Sequence, residues 1–169
     1  GAHTVHLQGA GFSDGILCQS CHRVPTLLAD AGHLGEDSIA DINFAGLSGT
    51  QGAWTRTTTT CAQTYCHGNF IGGNTTNTPN WTAPGSVLCG SCHDAGLDPA
   101  KLGWKHQFHV AEGSLKCADC HYSVVDTAGY ISGLALHVNG VVDTMIRDTI
   151  LCQVCHGSNG TGGCTGCHS

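Results

Sequence analysis

Apolar and polar positions along this chain alternate with little sustained period. Short hydrophobic runs are broken by Gly, Thr and Asn, so the predicted secondary structure is sparse. No run approaches the ~18 apolar residues of a membrane span. Short helical turns are predicted around "SLKCADCHYS" (residues 114–123) and "RDTILCQVCHG" (residues 147–157). "HVNGVVD" (residues 137–143) reads as a hairpin, because Asn139-Gly140 suits a tight turn between β-branched residues. "TRTTTT" (55–60) and "GGNTTNTPNWT" (72–82) read as exposed loops. Asn74, Asn80 and Asn159 begin N-x-T sequons, taken as chance.

Composition sharpens the problem. The 169 residues include 25 Gly but only four Phe, three Trp and three Tyr. A chain so poor in large side chains cannot readily fill a core by itself. It does contain twelve Cys and twelve His. The cysteines fall into close pairs: Cys18/Cys21, Cys61/Cys66, Cys89/Cys92, Cys117/Cys120, Cys152/Cys155 and Cys164/Cys167. A histidine follows each pair at once: His22, His67, His93, His121, His156 and His168.

Six disulfides would explain the cysteines but not the histidines. Zinc would pair one C-x-x-C with another pair or with distant histidines, and has no need of a His after every pair. C-x-x-C-H is the attachment signature of c-type haem. Two thiols add to the porphyrin vinyl groups, and the adjacent imidazole turns under the iron. "CAQTYCH" (61–67) has a longer loop between its cysteines, which the same device tolerates if the extra residues bulge outward.

With "CAQTYCH" followed by "CGSCH" at Cys89, the chain resembles the multihaem cytochromes c of metal- and sulfate-reducing bacteria, which mix C-x4-C-H with C-x-x-C-H. Among these it resembles the subunits of extracellular cytochrome filaments. The resemblance implies that Cys61–His67 is also an attachment site, giving six covalent haem c groups. The implied fold is mostly irregular, with short helices and a few β-hairpins, wrapped around a chain of haems that form the core.

Six histidines remain: His3, His6, His33, His106, His109 and His137. Six irons need six distal ligands, and the single Met145 cannot supply Met/His ligation. All six are therefore expected to be distal ligands. Bis-His ligation leaves no iron position for substrate, so electron transfer rather than catalysis is expected.

The order of motifs repeats. His3-x-x-His6, C-x-x-C-H at Cys18, His33, and motifs at Cys61 and Cys89 are matched by His106-x-x-His109, C-x-x-C-H at Cys117, His137, and motifs at Cys152 and Cys164. "HLGEDSIADINF" after His33 resembles "HVNGVVDTMI" after His137. Two trihaem parts are expected, 1–102 and 103–169, joined near 98–104 within one haem-packed domain. Each His-x-x-His should occupy one face of a helical turn and ligate two neighbouring haems.

The chain carries −6 with His neutral, and about −12 with six oxidised haems. That surface disfavours nucleic acid and suits basic partners or metal cations. A sequence starting at Gly1 suggests a removed export signal. The expected setting is extracellular or at the cell surface, with the periplasm as alternative. Expected partners are further copies in a head-to-tail homopolymer, other redox cytochromes, or metal acceptors. Repeat logic lets His3 or His6 ligate a haem of the preceding copy; the competing expectation keeps both within their own chain. A soluble electron shuttle, and an enzyme subunit with one open haem, are the alternatives to a filament.

Overall fold

The computed structural model describes residues 1–30, 33, 39–94 and 105–145. The motifs at Cys152 and Cys164, the helical turn over 147–157, Asn159 and the junction at 98–104 lie outside them.

Most of the described chain is coil and turn, as the broken apolar pattern predicts. Helix α1 spans His3–Gln8 and ends at Gly9, whose φ of 80° closes the helix in the left-handed conformation. Helix α2 is a single turn, Cys117–Cys120, inside the predicted 114–123 segment. Asp119 Oδ2 accepts from the Lys116 N–H at 2.8 Å and so satisfies an otherwise free donor at its start.

One antiparallel hairpin is present among the described residues. Strand β1 (Ala53–Thr55) pairs with β2 (Thr60–Ala62), with Trp54 opposite Cys61. "TRTTTT" is thus not a free loop: its ends are strand and its middle is the turn. The expected hairpin at 137–143 does not form. Asn139 instead receives the Val141 N–H on Oδ1 at 2.8 Å and donates to Asp143 Oδ2 at 2.7 Å, which curls the segment around its own side chain.

The two N-x-T triplets within the described residues are turn devices. Asn80 Oδ1 accepts from the Thr82 N–H at 2.8 Å and from its hydroxyl at 2.6 Å. Asn74 Oδ1 accepts from the Thr76 N–H at 3.3 Å and hydroxyl at 2.8 Å. The 72–82 segment is therefore locked rather than loose. It extends the hairpin through an isolated bridge between Thr60 and Asn80 and a Trp81 N–H to Thr59 carbonyl bond of 2.7 Å.

Side chains alone make almost no core. Among the described residues the buried apolar ones are Ala2 and Ala118, 4% and 2% exposed. Polar groups do the local tying: the buried Ser48 hydroxyl donates to the carbonyls of Ser20 and Ala45. Large apolar side chains such as Leu27, Leu28 and Ile71 are mostly exposed to solvent. The N-terminal and later segments meet through the Asp14 N–H to Leu134 carbonyl bond of 3.2 Å and through His137, which bonds the Phe12 carbonyl. No helix among the described residues is long and apolar enough to cross a membrane.

Candidate functional site

The attachment motifs share a local shape. In two of them the histidine N–H bonds the carbonyl of the first cysteine at 2.9 Å: His22 to Cys18 and His121 to Cys117. That tight turn presents both thiols and the imidazole on one short segment. The carbonyl of the second cysteine is also anchored at 2.8 Å, Cys21 by Asn43 N–H, Cys92 by Asn74 N–H and Cys120 by Met145 N–H.

"CAQTYCH" solves the same problem from a strand. Cys61 lies in β2, while Tyr65–His67 forms the turn that carries Cys66 and His67. Of the four residues between its cysteines only Gln63, with φ 54°, is exposed; Thr64 is buried at 3% exposure, so the longer loop turns partly inward rather than bulging outward as a whole. The eight described cysteines are all free thiols, with no disulfide among them. Burial, with the nearby Cys21, pushes the thiols of Cys61 and Cys66 up to about 11. Cys92 Sγ lies 3.5 Å from the Cys66 carbonyl, so the second and third motifs adjoin.

The histidines come together in pairs. Ring centroids are 6.2 Å apart for His3 and His22, 5.9 Å for His6 and His67, 6.2 Å for His93 and His137, and 6.2 Å for His106 and His121. A metal–imidazole bond of about 2.0 Å puts two trans imidazoles on one metal with ring centres roughly 6 Å apart. Each pair joins one motif histidine to one of the six others, at a separation that matches this spacing. Among the described residues no group of three or more His, Cys, Asp or Glu is gathered as a metal site.

Hydrogen bonding favours the same role. Nδ1 of His22 lies 2.8 Å from the Asp41 carbonyl, that of His121 2.8 Å from Asp143, that of His93 2.9 Å from Asp94 and that of His6 2.8 Å from Ala2. A carbonyl only accepts, so each Nδ1 carries the proton and each Nε2 offers its lone pair. His33 and His109 are held likewise, by the carbonyls of Leu28 (3.2 Å) and Lys105 (3.1 Å). Among the described motif histidines the exception is His67, whose buried Nδ1 has no hydrogen-bond partner. Burial, and then His6, push its pKa down to about 4, so the ring is neutral, the form that binds a metal.

Helix α1 positions both His3 and His6, one turn apart, as expected. Within the chain each faces a motif histidine, His3 from an exposed position and His6 from a half-buried one. The cause is local, since α1 is pinned by the buried Ala2 and by the Ile16 N–H to His6 carbonyl bond of 2.9 Å. The second His-x-x-His differs in geometry. His106 precedes a π-helical turn, Gln107–Glu112, in which His109 sits. His156 and His168 lie outside the described residues, as do Cys152, Cys155, Cys164 and Cys167.

A cavity lies between His6 and the second motif, lined by Cys61, Cys66 and His67 and walled by Val5 and Trp81. Trp81 was not legible as a site residue, because its role depends on contacts between segments distant in sequence. The donor set fits haem: two thiols, a neutral imidazole and a facing imidazole border one cavity with apolar walls.

Residues 60–93, the "CAQTYCH" to "CGSCH" stretch, match the family described as "Geobacter CxxxxCH...CXXCH motif". No curated protein and no solved structure matches the chain. The matched motif indicates covalently attached haem c, and supports a multihaem c-type cytochrome of the mixed-motif kind that transfers electrons.

Proposed function

We propose that this chain is a hexahaem cytochrome that conducts electrons along bis-His haems, as the subunit of an extracellular filament. The observation that carries the reading is the set of four imidazole pairs at 5.9–6.2 Å. Haem supplies one-electron chemistry, and low-potential iron follows from two imidazole ligands. In the four described pairs the chain's own imidazoles would hold an iron from both sides and exclude substrate from it, and backbone carbonyls fix the tautomer of His6, His22, His93, His121 and His137. This favours a conductor over an enzyme with an open haem. His3 and His6, one helical turn apart, would hold adjacent haems close together.

Two trihaem parts are supported by parallel contacts. His22 Nδ1–H and Cys21 carbonyl use Asp41 and Asn43, while His121 and Cys120 use Asp143 and Met145. In both segments, after His33 and after His137, the two partners lie two residues apart and in the same order. Within this scheme His137, from the second part, faces His93, from the first. The same backward reach by His33 leads to a haem attached in the second part of a preceding copy, at Cys164 and Cys167. Such a heterologous contact does not close and propagates as a fibre.

A pyridine haemochrome assay should find six covalent haems, and electron paramagnetic resonance should find all of them low-spin in the ferric form. Electron microscopy of secreted material should find fibres that His33→Ala abolishes. A particle that stays monomeric with six low-spin haems would leave the soluble shuttle as the function and end the filament reading.

A further inference from the structure

The four imidazole pairs share a spacing but not an angle. His3 and His22 lie at 28° to each other and His106 and His121 at 16°, whereas His6 and His67 cross at 81° and His93 and His137 at 67°. His3 and His6 stand on the same short helix, yet one is near-parallel to its partner and the other nearly perpendicular. One side chain touches both. The Trp81 indole meets His3 edge-on, at 4.8 Å and 89°, and His6 face-on, at 5.4 Å and 26°.

The indole is a firm template. Its backbone is bonded to Thr59 at 2.7 Å beside the strand that carries Cys61. Asn80, the residue before it, is fixed by Thr82 and by its Nδ2 bond of 2.9 Å to the Thr58 carbonyl. Trp54 packs edge-to-face behind it at 6.4 Å, and Gly1 approaches so closely that a Cβ there would fall 1.8 Å from the indole nitrogen. The Ala2 carbonyl also restrains His6. His3 makes no side-chain hydrogen bond among the described residues, so its ring plane is set by packing.

We propose that Trp81 is a positioning residue for two neighbouring iron ligands. Its edge sets the plane of His3 and its face the plane of His6. One indole thereby places the haem attached at Cys18 and Cys21 and the haem attached at Cys61 and Cys66 in different electronic classes. The reason is orbital. Parallel imidazole planes at low-spin ferric iron both donate into the same d orbital and lift its degeneracy with the next. Crossed planes donate into one each and leave the two nearly degenerate. Electron paramagnetic resonance separates the cases as rhombic spectra and spectra with a single large g value. The inference rests on the proposed bis-His ligation.

The test compares spectra of the six-haem ferric holoprotein with those of Trp81→Phe and Trp81→Leu. The wild type should show both signal types. Two haem signals, one of each type, should shift in the variants, further for Leu than for Phe, while the rest stay in place. A wild-type spectrum of one type only overturns the inference, as do variant spectra that are unchanged or shifted at every haem. If Trp81→Leu fails to mature, Trp81→Phe decides by whether its shift is confined to those two signals. A low haem count or high-spin iron in the wild type would instead count against bis-His ligation itself.

Discussion

The ring of His137 faces that of His93 at 6.2 Å, while its Nδ1 is bonded to the carbonyl of Phe12. One residue thus joins three distant stretches of the chain. Replacing His137 by Ala should convert one haem, the one attached at Cys89 and Cys92, from low-spin to high-spin. It should also loosen the join to Phe12, at a cost of about 1 kcal/mol for the hydrogen bond alone. Magnetic resonance of the ferric protein checks the first effect and thermal unfolding the second. A variant that remains wholly low-spin would remove His137 from the ligand set.

His67 is the one motif histidine in the described residues with a buried, unpartnered Nδ1. An Nδ1–H that donates to a carbonyl makes the imidazole a stronger base and favours ferric iron. Lacking that bond, His67 is the weaker donor. The haem attached at Cys61 and Cys66 should therefore be reduced earlier than those of Cys18 and Cys117 in a stepwise potentiometric titration. Of the two crossed-ligand signals, the one that Trp81 substitution shifts should bleach before the rhombic ones; the reverse order would contradict this reading of His67.

Gln63 holds φ 54° as the exposed residue of the longer Cys61–Cys66 loop. Gly adopts that conformation freely, whereas a β-branched residue pays about 1–2 kcal/mol. Gln63→Gly should leave haem loading unchanged. Gln63→Val should lower thermal stability by about that amount and reduce the yield of fully loaded protein, measured by haem absorbance per chain.

Asn80 makes contacts to Thr58, Thr59 and Thr82, the longest of them 3.2 Å. Asn80→Ala should cost roughly 1–3 kcal/mol by leaving these groups to water. Asn80→Asp keeps the acceptor oxygen and should retain most of that stability. Denaturant unfolding of the holoprotein distinguishes the two, and equal losses would show that the turn does not depend on Oδ1.

Covalent chemistry was readable in the sequence because it is local: two thiols and an imidazole within a few residues dictate their own turn. The helical His-x-x-His at His3 was readable for the same reason. What escaped depended on partners remote along the chain. "TRTTTT" read as loop because threonine repetition hides a register that only Trp54 opposite Cys61 defines. At "HVNGVVD" the turn dipeptide was visible, but the grip of Asn139 on Asp143 that overrides strand pairing was not. Trp81 stood in a stretch that looked featureless, although two asparagines there were already building the turns that hold it.

The sparse burial of Ala2 and Ala118 bears on how such a protein is made. A polypeptide whose own side chains enclose so little has small reason to collapse before its prosthetic groups arrive. Maturation and folding then become one event, in which each attachment supplies the surface against which the next segment settles. Cys21 lies close enough to Cys61 and Cys66 to influence both thiols. Early condensation would invite wrong cross-links between motifs. A chain that stayed open until it was loaded would keep those thiols apart during biogenesis, and its poor core would then act as a safeguard for assembly.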